Sequence, residues 1–102
     1  MVIEHIRYDV PSDRQEEFEA AWERARSVLD GSSHCLAYEV SHGVEEPNHY
    51  TVRIEWDSLE GHQQGFRESA EFNEFFQAVR PFFDQIREMR HYRRTSIAST
   101  DE

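Results

Sequence analysis

The sequence predicts one α+β domain, a four-stranded antiparallel sheet with its helices on one face. Three observations lead there. Four segments alternate apolar and polar residues with the period of two that a half-buried strand requires. Two others space their apolar residues by three and four, as amphipathic helices do. Their order, with strands first and last and an adjacent pair of strands between the helices, is that of a split β-α-β unit.

Val2, Glu4, Ile6, Tyr8 and Val10 share one face of the first strand, and Ile3, His5, Arg7 and Asp9 the other. Pro11 ends it, having no N–H to give a ladder. Ser12 with Gln15 three residues on reads as a capping box. It opens a helix with the stripe Phe18, Ala21, Trp22, Ala25, Val28 and Leu29, ending near Gly31. Leu36, Tyr38 and Val40 alternate with Cys35, Ala37 and Glu39 in the second strand. In the third, Tyr50, Val52, Ile54 and Trp56 alternate with Thr51, Arg53 and Glu55. The short interval holding Gly43 and Pro47 joins these two as an antiparallel hairpin.

Asp57 and Glu60 form a second capping arrangement before a short helix through His62 and Phe66. Ser69 caps the next helix, whose stripe Phe72, Phe75, Phe76, Val79, Phe82, Phe83 and Ile86 is read as the anchor of the core. Pro81 kinks or restarts that helix. Met89 to Arg94 is the last strand, so the domain spans 1–94 and residues 95–102 form a flexible polar tail. Each helix has a single apolar stripe, so both cover the same sheet face. The result is a ferredoxin-like βαββαβ arrangement. On the opposite face, Arg7 and Arg53 stand to meet Glu39 and Glu55, a mixed-charge surface compatible with self-association or with solvent.

Twenty-one acidic residues against eleven basic ones give a net charge of −10. A phosphate backbone or an anionic membrane surface needs a clustered cationic face, so neither nucleic acid nor membrane is an expected partner. All the cations are arginines. The single cysteine, Cys35, can form no internal disulfide and has no local context that activates it as a nucleophile. With no secretion-signal pattern at the N-terminus, a cytoplasmic location is expected. The histidines at 5, 34, 42, 49, 62 and 91 are dispersed, without an i,i+4 pair or a His-Glu-x-x-His spacing. No metal site is expected from them; the hairpin could bring His42 and His49 together, but surface histidines are the commoner case.

The stretch Tyr50 to Phe76, YTVRIEWDSLEGHQQGFRESAEFNEFF, resembles the antibiotic biosynthesis monooxygenase family. A strand ends in Trp-x-Ser, a short helix carries a histidine, and Ser-x-x-Phe opens the next helix. CLAYEV is similar to the family's second strand and EMRHY to its last. The chain is also similar to versions of this domain joined to truncated globins. The resemblance implies a homodimeric α+β barrel, each protomer's sheet packed on its partner's, with a pocket between sheet and helices. It further implies oxidation of an electron-rich aromatic, a quinol or polyketide-like compound, by O₂ without metal, flavin or other cofactor.

Carried over position by position, Trp56 matches the family's tryptophan, and His62 falls where oxygenase members often line the pocket. Val52 stands where some polyketide oxygenases have an asparagine. Ile6 or His5, Phe66 and Phe76 stand where haem-degrading relatives carry asparagine, tryptophan and histidine, so haem cleavage is not expected. His62 is the candidate base, since histidine is the side chain that titrates near neutral pH. On pattern alone it lies either beside Trp56 or on the exposed face of its helix. Trp56, Phe66 and Phe76 are candidate substrate-binding walls or plain core, and Tyr38 and His91 candidate orienting groups. The other reading is non-enzymatic: a ligand-binding or dimerisation module of the same fold, working with a haem or globin redox partner.

Overall fold

A computed structural model describes residues 1–99. Strands β1 (Val2–Asp9), β2 (Cys35–His42), β3 (His49–Trp56) and β4 (Ile86–Arg93) form one antiparallel sheet in the order β2-β3-β1-β4. Helices α1 (Gln15–Asp30) and α2 (Phe72–Val79) cover one face, α2 being preceded by a π-helical segment, Gly61–Phe66, and followed by a 3₁₀ segment, Arg80–Gln85. This is the ferredoxin-like α+β fold. The polar stretch from residue 95 enters no strand or helix up to 99, and residues 100–102 lie outside the described residues.

The inward faces of β1 and β3 alternate as their sequences dictate, burying Glu4, Ile6 and Tyr8 beside Tyr50, Val52, Ile54 and Trp56. Phe18 of α1 joins the layers, its ring centroid 4.8 Å from Tyr8, 4.6 Å from Tyr50 and 5.3 Å from Phe82. Fully burying such a ring contributes about 1.5–3 kcal/mol.

Two bulges shift the strand phases. Cys35 faces Trp56 and Ala37 faces Glu55, so Leu36 is the inserted residue. One added residue reverses which face a side chain meets. Leu36 therefore lies outside, 55% exposed, and Cys35 packs against the core, opposite to simple alternation. In β4 the shift lies between Ile86 and Glu88, which pair with Tyr8 and Arg7. It turns Ile86 inward beside Tyr8 and leaves Arg87 in solvent, avoiding the cost of a buried guanidinium.

The expected caps are replaced by other contacts. Ser12–Arg14 form a 3₁₀ turn, and the Gln15 amide donates to the carbonyls of Val10 (3.0 Å) and Pro47 (2.9 Å), tying the end of β1 to the β2–β3 loop. Ser58, rather than Asp57, caps the π-helical segment by accepting from the Gly61 N–H at 2.8 Å; Asp57 instead holds His34 Nδ1 at 2.9 Å. Ser69 donates back to the Phe66 carbonyl at 2.7 Å and caps nothing.

The phenylalanine stripe departs furthest from expectation. Pro81 restarts the chain as the 3₁₀ segment, and only Val79 and Phe82 of the stripe are fully buried. Phe72, Phe75, Phe76 and Ile86 are half-buried and Phe83 is 41% exposed. The break rotates the stripe, so most of it lines a cavity. On the open sheet face, Arg53 pairs with Glu55 at 2.5 Å and lies opposite Glu39. Arg7 lies opposite Thr51 and Glu88, away from Glu39.

Candidate functional site

A cavity of about 320 Å³ opens between the sheet and α2. Ile6 and Tyr8 come from β1, Trp56 from β3, Trp22 from α1, and Phe66, Phe75 and Phe76 from the segments above. Phe83 and Met89, both more than two-fifths exposed, mark its open side. The lining is aromatic and aliphatic except at one end, where Glu4, His62 and Arg67 enter.

That polar end is assembled from three distant parts of the chain. Glu4 is 4% exposed and His62 3%, so both are desolvated. The Trp56 indole N–H donates to Glu4 Oε1 at 3.1 Å. His62 Nε2 lies 3.3 Å from the same oxygen, and His62 Nδ1 lies 2.8 Å from His91 Nε2. The imidazole stacks on the Trp56 indole, centroids 4.4 Å apart and planes 12° from parallel. All three groups are satisfied when His62 Nε2–H donates to Glu4 and His62 Nδ1 accepts from His91 Nε2–H.

Burial sets the protonation. It pushes His62 from 6.5 down to about 3, helped by the nearby charge of Arg67 and by His91. Burial also lowers His91, again with Arg67. Glu4 is raised above 4.5 by burial, against the opposing Trp56 hydrogen bond and Arg67. His62 is therefore a neutral imidazole at physiological pH, not the near-neutral base that its residue type implies. The group drawn toward neutral pH is Glu4.

Trp56, His62, Phe66 and Phe76 line the cavity, and His91 adjoins it through its bond to His62. Tyr38 does not join them. Its hydroxyl donates to Asp30 Oδ1 at 2.6 Å and accepts from Arg26 Nε at 3.1 Å, between β2 and α1. There it edges a separate groove of about 380 Å³ that also holds Glu19, Glu23 and Glu39. Cys35 is half-buried with its thiol raised to about 11 by desolvation, an unreactive state. His42 and His49 take different partners, the Pro47 carbonyl at 2.6 Å and Glu46 at 3.1 Å. Glu4 escaped notice in the sequence, yet it had a signal: a carboxylate on the inward face of an otherwise apolar strand.

The sequence profile described as antibiotic biosynthesis monooxygenase matches residues 1–78. The chain belongs to this family. Among solved structures of similar fold, a candidate antibiotic biosynthesis monooxygenase from Bordetella bronchiseptica is 26% identical, with a TM-score of 0.79 over 92% of this chain and 96% of that one. A conserved protein from Methanosarcina mazei, 21% identical, superposes with a TM-score of 0.77 over 92% of each chain. YczJ of Bacillus subtilis, whose activity is uncharacterised, is 28% identical over 92 residues, covering 90% of this chain and 97% of its own. The profile match includes Glu4, Trp56 and His62 and stops before β4, so His91 comes from outside the matched stretch. No helix among the described residues is long and apolar enough to cross a membrane.

Proposed function

We propose that this protein is a cofactor-independent monooxygenase acting on a small electron-rich aromatic of the quinol or polyketide type. The observation that carries the reading is the cavity: aromatic walls sized for a few fused rings, with one polar end built on Glu4 and His62. Trp22, Phe66 and Phe75 are suited to stacking a planar ring. Its hydroxyl would sit at the polar end, where the Glu4 carboxylate accepts the proton while neutral His62 holds that carboxylate through its Nε2–H. Deprotonation raises electron density in the ring, which reduces O₂. One oxygen atom enters the ring and the other leaves as water, and the four electrons come from the substrate itself, so no external reductant is consumed.

In this reading the protein acts as a homodimer, with the open sheet face as its interface, in the cytoplasm. Family membership supports the homodimer. The test is oxygen uptake with product mass analysis over a panel of hydroquinones and naphthols, alongside native mass spectrometry of the purified protein. Turnover with added oxygen in the product, cut at least ~100-fold by Glu4→Gln as expected for loss of a proton acceptor, bears the proposal out. No turnover with any member overturns it.

The low basicity of His62 favours a second reading, in which the cavity binds an aromatic ligand without turning it over. The domain would then hold that ligand for a separate redox protein such as a globin. Saturable binding of the same panel without oxygen uptake selects this reading.

A further inference from the structure

Glu4, His62 and His91 bring two imidazoles and one carboxylate to a single point. One potential ligand atom from each lies within 4.8 Å of the other two. We propose that these residues form a binding site for one divalent first-row transition-metal ion, of the iron(II), cobalt(II) or zinc(II) type. Nothing in the spacing of the histidines along the chain indicates it, because the ligands come from β1, the π-helical segment and β4.

Three features support the site. The donors have the softness and number of a two-histidine, one-carboxylate centre, which leaves coordination positions free for exogenous ligands. The adjoining cavity provides that open side, since Glu4 and His62 line it. Supporting contacts are also present: the Trp56 N–H occupies Glu4 Oε1 at 3.1 Å and leaves Oε2 for an ion, while the stacked indole fixes the His62 plane.

An ion about 2.1 Å from each donor sets neighbouring donors about 3.0–3.4 Å apart, the lower figure for octahedral and the upper for tetrahedral geometry. His62 Nδ1 and His91 Nε2 are already 2.8 Å apart, pointing at each other in a hydrogen bond. Binding replaces that bond and the 3.3 Å contact with Glu4, and requires rotation of the half-exposed His91 and of the Glu4 carboxyl. Arg67 opposes a cation electrostatically, so the affinity is that of an open, exchangeable site rather than a closed structural one.

The test uses chelator-stripped full-length protein titrated with cobalt(II) alone, read by its visible absorption and by metal analysis. It needs neither substrate nor oxygen. A bound ion would occupy Glu4 and His62, the polar end that the oxidation reading uses without a cofactor. Oxygen uptake is therefore measured separately on the metal-free protein, and the two readings stand or fall apart. One cobalt per chain is expected, with the spectrum of a mixed nitrogen–oxygen site. Glu4→Gln and His91→Ala should each weaken binding by about 100-fold or more, the upper end of what loss of a supporting group costs. His49→Gln, on the surface, should leave it unchanged, and circular dichroism verifies that each variant is folded. Absence of stoichiometric cobalt, or binding that survives both Glu4→Gln and His91→Ala, overturns the site.

Discussion

In metal-free protein, the buried imidazole of His62 should govern stability on the acid side of neutrality. The unfolded chain takes up a proton there near pH 6.5, the folded chain only near pH 3. A lowered histidine contributes stability that is complete above 6.5 and is lost as pH falls toward 3, at a slope approaching 1.4 kcal/mol per pH unit. Between pH 6.5 and pH 4.5 this amounts to a little over ~2 kcal/mol, because the slope is only half developed at 6.5, and solvent entering from the open side of the cavity trims it to ~2 kcal/mol or less. Glu4 has the opposite sign: its contribution is complete below 4.5 and is lost as pH rises through its raised folded value. The wild type thus shows partial cancellation, and the informative quantity is the difference from His62→Gln. Urea unfolding of both proteins, at neutral pH and at pH 4.5, measures it. The gap between their midpoints should change by about 1 M in urea across that range, for a slope of ~1–3 kcal/mol per molar. Parallel pH dependences in the two proteins would refute the reasoning, because they would mean that His62 titrates near its ordinary value.

Gly65→Ala should cost ~1–3 kcal/mol by overpacking, since its new Cβ runs into the His34 ring, which Asp57 holds in place; adding His34→Ala should recover most of that loss in a double-mutant cycle. Phe82→Ala should destabilise by ~3–5 kcal/mol, as for a fully buried ring. Phe83→Ala, at the open side of the cavity, should cost less than ~1 kcal/mol and weaken binding of an aromatic ligand instead, a contrast read by thermal unfolding and fluorescence titration. Tyr38→Phe removes only a surface hydroxyl bound to Asp30 and Arg26, so stability should fall by no more than ~1 kcal/mol. Ligand affinity, measured in the same titration, should not change.

The sequence by itself determined the element order and the sheet's inward faces in β1 and β3. These follow from periods of two and 3.6 over uninterrupted runs, a purely local signal. Where one residue is inserted, as at Leu36 and near Arg87, the period carries no warning. The bulges form because the pairing strand and the cost of burying a guanidinium choose the register. Ser12, Asp57 and Ser69 miss the caps predicted for them because Gln15, Ser58 and the Phe66 carbonyl supply competing hydrogen bonds, some from distant loops.

The site divides in the same way. His62 and Trp56 are close in sequence, but the pattern left His62 either beside Trp56 or on the exposed face of its helix, and packing chose the first. Glu4 and His91 reach them only because β1 lies between β3 and β4, which places Glu4 opposite both Ile54 and His91. The burial that makes His62 a neutral imidazole and draws Glu4 toward neutrality is a property of that packed arrangement, since desolvation depends on every group that excludes water. A residue's type gives its ordinary chemistry. Here the tertiary structure decided which of these side chains keep it.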